Sequence, residues 1–373
     1  MYTEKTDTKI RKEKEMKSIQ EFKKEHSIQK EIASFTKTDI SKVLIPHIKT
    51  GIKELDELLG GGLTAGVIML GGHSSMGKST LALQIAENIS AQKIPVFFYS
   101  LEMSKISITA KSLARQIYQQ TDGQMSITSS ELLYKGSVLG FSQEVWDEIN
   151  TARETITKRC EDLLIMEDRK ANAVSGLKIY KDVTEYAQKG NAVVFVDYLQ
   201  VLTTQLDKSE VRHGGLDQRG MIDINIRYLR QLSYEMQIPV VIINSLNRGS
   251  YGKSVSASAF KESGTIEYSA DVVLALQFSV FSDNTNLKNG ENIADQEKSK
   301  TPRIVDLVAL KQRYGRCGED AKVRFYYYAE NDYFRPISNH TPLPVSNKKK
   351  NIKKPSVNLD PDYDTSWLNE LKD

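Results

Sequence analysis

Residues 72–79 read Gly-His-Ser-Ser-Met-Gly-Lys-Ser and fit the pattern G-x-x-x-x-G-K-[ST]. An apolar run at 67–70 precedes them and a segment of helical periodicity follows from Thr80, which is the context that this pattern requires. The glycines let backbone N–H groups turn toward an anion, and the start of a helix adds positive potential. The segment therefore predicts a loop that holds the phosphates of a nucleotide.

Within this loop, Lys78 is expected to reach the β- and γ-phosphates, and the Ser79 hydroxyl is expected to bind Mg²⁺. The other predicted nucleotide-binding residues are Gly72, Ser75, Met76, Gly77 and Thr80. We expect the nucleotide to be ATP, with Mg²⁺ as its cofactor. His73 receives no role, because many side chains are accommodated at its position.

Two acidic residues follow apolar runs farther along the chain. Phosphoryl transfer needs a second carboxylate to hold Mg²⁺ and a group that orients the attacking water. Asp197 follows the run 192–196, and Glu102 follows the run 96–100. We predict that Asp197 binds the metal and that Glu102 polarises water, because Tyr198 rather than a glutamate comes after Asp197. Either acid alone would be interpreted as a solvated loop residue, whereas two at strand ends favour the site.

The elements that must position these residues are short apolar runs separated by longer amphipathic segments. This pattern predicts an α/β fold with a mostly parallel central sheet covered by helices. The runs are 67–70, 96–99, 163–166, 192–196, 240–243, 272–276 and 304–310. Helical periodicity marks 79–91 and 221–236, and the alternating segment 322–328 predicts an antiparallel edge strand.

The two ends of the chain differ from this central region in composition. The composition of residues 1–45 predicts a charged helical arm or linker, and a solvated arm is an equal alternative. Residues 336–373 predict a flexible polar tail, and a partner-docking peptide is the alternative. The N-terminus is charged and no run reaches the roughly 20 apolar residues of a membrane span, so we expect a cytoplasmic protein. A formal net charge of +3 is too small to indicate nucleic acid by itself, and Cys160 and Cys317 lack metal-ligand spacing.

Six blocks between residues 50 and 328 resemble, in order, the RecA-type motor domain of DnaB-type replicative helicases of bacteria and phages. The blocks are 74–79, Ser-Leu-Glu-Met-Ser at 100–104, Asp-Tyr-Leu-Gln at 197–200, Leu-Asn-Arg at 246–248, 261–267 with 270–271, and Lys-Gln-Arg-Tyr-Gly at 311–315. The resemblance implies a RecA-like P-loop NTPase domain over 46–335. It also implies a homo-oligomeric ring, usually a hexamer, with ATP bound between neighbours.

The resemblance further assigns residues to the ring. Lys311 and Arg313 would reach the phosphates of the adjacent subunit's nucleotide. Ser245 would occupy the sensor position. The DNA-binding residues would be Lys261, Glu262 and Gly264. These would follow the backbone of single-stranded DNA without reading bases, so binding would depend strongly on salt. A primase, a loader or a replication initiator is an expected partner.

Some features depart from the family pattern. About 45 residues precede the predicted domain. These helicases usually carry an N-terminal collar of roughly a hundred residues, which is the size of a small domain. We therefore expect a ring without a collar, in which the arm serves as the linker helix. Ser245 stands where the family usually has glutamine, and Lys261 where it usually has arginine. The preferred hypothesis is a replicative helicase of bacterial, plasmid or phage origin, acting at the nucleoid. The alternatives are a regulatory or helicase-loading ATPase that binds DNA without unwinding and, less favoured, a recombinase-like filament.

Overall fold

A computed structural model describes residues 47–135, 140–167, 174–202, 218–260, 269–284 and 287–338. The predicted arm, the tail beyond 338, and the predicted DNA-binding residues Lys261, Glu262 and Gly264 lie outside the described residues.

A single sheet runs through the described part of the chain. Its strands are β1 (Gly66–Gly72), β2 (Val96–Ser100), β3 (Leu163–Glu167), β4 (Val193–Asp197), β5 (Pro239–Ser245), β6 (Val272–Phe278), β7 (Arg303–Gln312), β8 (Lys322–Tyr328) and β9 (Tyr333–Pro336). Their order across the sheet is β3-β2-β4-β5-β1-β6-β7-β8-β9. The first six in this order pair in parallel, so their carboxyl ends form one edge. The predicted mostly parallel α/β sheet is confirmed.

Helices connect and cover the strands. They are α1 (Lys53–Leu58), α2 (Lys78–Ser90), α3 (Lys105–Gln120), α4 (Gln143–Arg159), α5 (Gly176–Tyr186), α6 (Gln218–Met236), α7 (Ser279–Asp283) and α8 (Gly290–Lys298). Serines at 104, 142 and 175 cap α3, α4 and α5, each accepting a hydrogen bond from the backbone N–H three residues on. None of the described helices is both long and apolar enough to cross a membrane.

The core explains why the strand sequences are continuously apolar. Along β1, Ile68 and Leu70 belong to the apolar cluster on one face of the sheet, while Val67 and Met69 belong to the cluster on the other face. All four side chains are at most 3% exposed. Successive side chains of a strand point to opposite faces, so a strand covered on both sides needs an apolar residue at every position.

Two expectations about the last strands were wrong. The run 304–310 lies in β7, which pairs antiparallel with β6 rather than extending the parallel sheet. The segment 322–328 forms the antiparallel strand β8, but β9 pairs with its outer side and is the edge instead. Burial on both faces makes a run apolar whichever way the strand points, and β9 is only four residues long.

Candidate nucleotide-binding site

The predicted phosphate loop joins the carboxyl end of β1 to the start of α2. Gly77 has φ +85°, a left-handed conformation, and it directly precedes the first turn of α2. A Cβ at this position would lie 2.7 Å from the rings of Tyr327 and Phe334, so glycine is also required by close packing. The Lys78 Nζ donates to the backbone carbonyl of His73 at 3.0 Å, which holds the ammonium group across the loop.

The loop forms one wall of a cleft of about 650 Å³ at the carboxyl edge of the parallel strands. Its lining residues are Ser74, Ser75, Gly77, Lys78, Ser79, Thr80, Glu102, Met103, Lys111, Asp197, Tyr198, Ile243, Ser245 and Tyr327. The volume falls in the range of small-molecule sites. The structure thus brings Lys78, Ser79 and Thr80 together with both predicted acids and Ser245. Gly72 and Met76 belong to the same loop, but they are not among the residues that line the cleft.

Asp197 is the buried carboxylate of this cleft, at 1% exposure. Its burial raises its pKa to about 6, and the nearby charge of Glu102 acts in the same direction. A hydrogen bond with Ser79 and the charges of Lys78 and Lys111 oppose this rise. Within the described residues, no group hydrogen-bonds the buried Asp197 Oδ2.

This arrangement fits a hard divalent cation. Mg²⁺ prefers oxygen ligands and is commonly held by one or two carboxylates together with phosphate oxygens. The Ser79 hydroxyl and the Asp197 carboxylate are adjacent, since they hydrogen-bond each other. The Oδ2 of Asp197 accepts no hydrogen bond from the described residues and is available to bind a cation. The donor set therefore suits Mg²⁺, and no group of three or more His, Cys, Asp or Glu side chains forms another metal site in the described chain.

Lys111 is a cleft residue that the sequence did not single out. It lies on α3, and its Nζ is 2.6 Å from the Oδ1 of Asp332, which is 2% exposed and lies at the turn before β9. The Thr80 hydroxyl donates to the same oxygen at 3.1 Å. Asp332 thereby ties α2 to α3, and Lys111 adds a second cation from the same chain beside Asp197. A lysine in an amphipathic helix carries no sequence signal that would distinguish it from a solvated one.

Arg303 and Tyr327 also meet the phosphate loop, from β7 and β8. Arg303 donates from NH1 to the backbone carbonyl of Ser75 at 2.9 Å, and its guanidinium lies over the Tyr327 ring, 5.7 Å from the centroid. Tyr327 stacks on Phe334 with ring centroids 4.1 Å apart, and burial raises the pKa of its phenol to about 12. Arg303 and Tyr327 lie far from the loop in the sequence, so no local pattern could have associated them with it.

Lys311 and Arg313 lie away from this cleft. Leu307 of β7 pairs with Leu276, which is level with Gly72 at the root of the loop. Lys311 is four residues farther along β7, but a bulge in the pairing places it opposite Val273, three residues from Leu276 and about 10 Å away at the rise of a strand. Beyond it, Arg313 pairs with Asp271 at 3.1 Å, near the amino end of β1. These two side chains are therefore placed where they do not contribute to the cleft of their own chain.

The residues from 47 to 335 match the family of the DnaB-like helicase C terminal domain. The chain belongs to this family. Curated relatives of this DnaB-like domain include a probable replicative DNA helicase of Trieres chinensis, 27% identical over 283 residues that cover 74% of this chain and 55% of the relative. The replicative DNA helicase DnaB of Leifsonia xyli subsp. xyli (strain CTCB07) is 28% identical over 282 residues, 74% of this chain and 56% of the relative. The chain thus spans a little over half of the length of these relatives.

Solved structures share the fold of the DnaB-like domain. One of them, an ATPase domain, matches with a TM-score of 0.64 at 22% identity, covering 84% of this chain and 99% of that one. A DnaB-like replicative helicase, whose structure was described with its interactions with primase, matches with a TM-score of 0.61 at 21% identity, covering 83% and 66%. These likenesses show the RecA-like α/β fold expected from the sequence.

Proposed function

We propose that this chain is a ring-forming, ATP-driven motor that moves along single-stranded DNA and unwinds duplex DNA during replication. The observation that carries the proposal is the cleft in which a family-typical phosphate loop meets Glu102 and Asp197. The names of the matching relatives, which are replicative helicases, support the choice of substrate.

In this proposal the phosphates of ATP lie along the loop from Ser75 to the start of α2. Lys78 leaves the carbonyl of His73 to meet the β- and γ-phosphates, and Ser79 with Asp197 holds Mg²⁺. Bound Mg²⁺ would neutralise charge on the β- and γ-phosphate oxygens. Lys111 adds positive charge from the same side of the cleft.

Glu102 is the group that we assign to the attacking water. It lies just beyond β2, it lines the cleft, and it is exposed rather than buried. An exposed carboxylate can accept a hydrogen bond from water, which orients the water for in-line attack. Asp197 is unsuited to this task because it hydrogen-bonds Ser79 and is needed for the metal.

Beside the phosphate loop, Tyr327 lines the cleft, and Arg303 lies over the Tyr327 ring. A guanidinium and a phenol ring both stack on aromatic surfaces. Arg303 is anchored on the carbonyl of Ser75, so the pair is fixed relative to the phosphates. We assign these two side chains to the base end of the nucleotide.

The position of Lys311 and Arg313 supports catalysis between subunits. Both side chains lie about 10 Å or more from the level of their own phosphate loop and do not line its cleft, so we assign them to the nucleotide of another copy. A planar guanidinium is well suited to stabilise the charge that develops in phosphoryl transfer. With this assignment the active protein would be a homo-oligomer, for which we propose a hexameric ring.

Single-stranded DNA is the proposed partner of the ring, through Lys261, Glu262 and Gly264. The residue before them, Phe260, forms an isolated β-bridge with Leu246, next to Ser245 at the cleft. Phe260, which precedes the predicted DNA-binding residues in the sequence, therefore lies close to the cleft. Contacts with a primase, a loader or an initiator, and a cytoplasmic site of action, belong to the same proposal.

Rates of ATP hydrolysis, measured with and without single-stranded DNA and alongside the solution mass, test the nucleotide roles. Lys78→Ala should abolish turnover, whereas Lys93→Ala should retain it, because the ion pair of Lys93 with Glu161 is exposed and lies outside the cleft. Turnover of Lys78→Ala near that of the unmodified protein would refute the phosphate loop.

Mixing two inactive variants tests catalysis between subunits. Arg313→Ala should bind nucleotide without turning it over, and Glu102→Ala should also be inactive. Mixed rings should recover part of the activity, because some interfaces then combine an intact Glu102 with an intact Arg313. Arg316→Ala, which removes an exposed arginine of the same turn, is the matched control and should remain active. No recovery in rings shown to be mixed would refute catalysis in trans.

Ser245 favours a second candidate function, a regulatory or helicase-loading ATPase that binds DNA without unwinding it. Ser245 ends β5 at the cleft, and its hydroxyl is shorter than the glutamine amide usual in this family. A shorter group reaches less far toward a γ-phosphate, so hydrolysis would be less well coupled to movement. Unwinding of a forked substrate distinguishes the two functions: hydrolysis stimulated by DNA without strand displacement would support the second.

A further inference from the structure

Residues 246–260 lead from the end of β5 to the predicted DNA-binding residues, and they contact the phosphate loop on the way. The Ser250 hydroxyl lies 3.3 Å from the Nε2 of His73 in the loop. The Tyr251 ring meets the His73 ring edge-on, with centroids 5.4 Å apart, and its hydroxyl donates to Asp295 of α8 at 2.7 Å. The segment is therefore held between the phosphate loop and α8, although the proposed hydrolysis uses none of its side chains.

Phe260, the last residue of this segment, packs against the root of the phosphate loop. Its side chain is 1% exposed and belongs to the same apolar cluster as Met69 of β1. A Cβ built on Gly71 would overlap the Phe260 ring at Cζ, so the ring lies directly on the backbone of Gly71. Gly71 is part of β1, where an extended backbone accepts any residue type. Glycine is therefore required at this position to make room for the ring, not for its backbone conformation.

The backbone of Phe260 is also attached to the nucleotide side of the protein. Leu246, which directly follows β5, forms the isolated β-bridge with Phe260. Asn247 donates from its side-chain amide to the Phe260 carbonyl at 3.4 Å and from its backbone N–H to the Ala259 carbonyl at 2.7 Å. Lys261 is the next residue in the sequence. The first predicted DNA-binding residue therefore follows a residue whose ring and backbone are both held by elements of the nucleotide cleft.

Nucleotide binding acts on the same part of the loop. In the proposed function, Lys78 exchanges the His73 carbonyl for phosphate oxygens, and backbone N–H groups of the loop turn toward the nucleotide. His73 is two residues from Gly71, so a change at His73 is passed along the backbone to the residue beneath the ring. A close-packed interior has little free space to absorb such a displacement, so the Phe260 ring would move with Gly71.

We propose that the contact of the Phe260 ring with Gly71 couples the occupancy of the phosphate loop to the affinity for single-stranded DNA. The inference rests on the proposed function, because it requires both ligands. Phe260 is a positioning residue, since it is not among the residues that line the cleft and a phenyl ring carries no donor for a phosphate. The coupling is reciprocal: nucleotide changes the affinity for DNA by the same factor as DNA changes the affinity for nucleotide.

Anisotropy titrations of a fluorescent oligothymidylate, in Mg²⁺ with and without a non-hydrolysable ATP analogue, measure this coupling. The ratio of the two dissociation constants is the coupling factor, and the protein concentration is set where the solution mass is the same in both conditions. The unmodified protein should bind DNA about tenfold more tightly with the analogue. Phe260→Leu keeps an apolar side chain but removes the ring atoms that lie on Gly71, and it should reduce the factor to about two or less. Its affinity for DNA without nucleotide should change little.

A compensating change tests the contact itself. Gly71→Ala adds a methyl group that forces the ring out of its position, and it should also lower the coupling factor. In the double variant with Phe260→Leu, the methyl group fills part of the space that the ring leaves, so the factor should recover to about half of its original value or more. A loss of stability alone does not give this pattern, because the factor is a ratio measured on the same folded protein. If Phe260→Leu does not fold, Gly71→Ala tests the same contact.

Phe281→Leu is the matched control. Phe281 is a 4% exposed phenylalanine of α7 that belongs to the apolar cluster on the other face of the sheet, so its loss should leave the coupling factor unchanged. A factor that is unchanged in Phe260→Leu, or that does not recover in the double variant, would overturn the role of Phe260 while leaving the motor intact. Equal DNA affinity of the unmodified protein with and without the analogue would also overturn it. Failure of the unmodified protein to bind DNA in either condition would instead refute the proposed function.

Discussion

Asp197 gives a quantitative prediction that connects the nucleotide site to stability. Its carboxylate is 1% exposed, and its pKa rises from 3.8 to about 6 because burial disfavours the charged form. The folded protein therefore holds this proton more tightly than the unfolded chain does. Stability is lost as the pH rises from 3.8 to about 6, and the full penalty is present above that range.

The penalty follows from the two pKa values. At about 1.36 kcal/mol for each pKa unit, the raised pKa costs about 3 kcal/mol of stability at about pH 8 and roughly half of that at about pH 5. Asp197→Asn removes the charge but keeps an oxygen that can accept from Ser79. Its new N–H group adds a cost of about 1–3 kcal/mol if it finds no acceptor, and this cost does not depend on pH. Relative to the unmodified protein, the variant should therefore gain on the order of 1 kcal/mol in unfolding free energy between the lower and the higher pH.

Urea unfolding in EDTA, at about pH 5 and about pH 8, measures this difference without bound metal. Asp306→Asn is the control, because the Asp306 oxygens accept from Arg324 at 2.7 and 3.0 Å and the change should destabilise the protein at both pH values. Magnesium nucleotide should stabilise the unmodified protein but not Asp197→Asn. If the unfolding free energies of Asp197→Asn and the unmodified protein differ by the same amount at both pH values, the pKa of Asp197 is not raised by burial. That result would refute the assignment of Asp197 as a buried metal ligand whose charge destabilises the protein.

Three further changes have defined outcomes. Gly77→Ala should lower the thermal midpoint and weaken nucleotide binding measured by calorimetry, because its Cβ would lie 2.7 Å from the Tyr327 ring; unchanged binding would contradict this packing. Arg115→Met leaves Glu87 buried without the 2.6 Å ion pair and should cost about 3–5 kcal/mol in urea unfolding, and a loss below about 1 kcal/mol would refute its importance. Lys261→Ala should weaken binding of single-stranded DNA equally across sequences and reduce the salt slope by about one contact in anisotropy titrations, whereas a sequence-dependent loss would argue against backbone recognition.

Local features of the sequence were sufficient for the phosphate loop and most of the sheet. The loop pattern depends on consecutive residues, and its flanking strand and helix are visible in the same window. The parallel strands were predicted because each is covered on both faces and must be apolar throughout. Asp197 and Glu102 could be located at the same edge because the carboxyl ends of parallel strands lie together.

Tertiary structure decided which distant residues join that edge. Lys111 and Tyr327 reach the cleft from α3 and β8, and Arg303 of β7 contacts the phosphate loop. Their residue types are common on solvated surfaces and in ordinary cores. Strand direction was also beyond the sequence, since burial determines apolar content but not whether β7 runs with or against β6. The same antiparallel return carries Lys311 and Arg313 away from their own cleft. The sequence by itself determined what chemistry the chain contains, because the phosphate-loop pattern consists of contiguous residues. The fold decided which basic residues line the cleft of their own chain and which lie away from it.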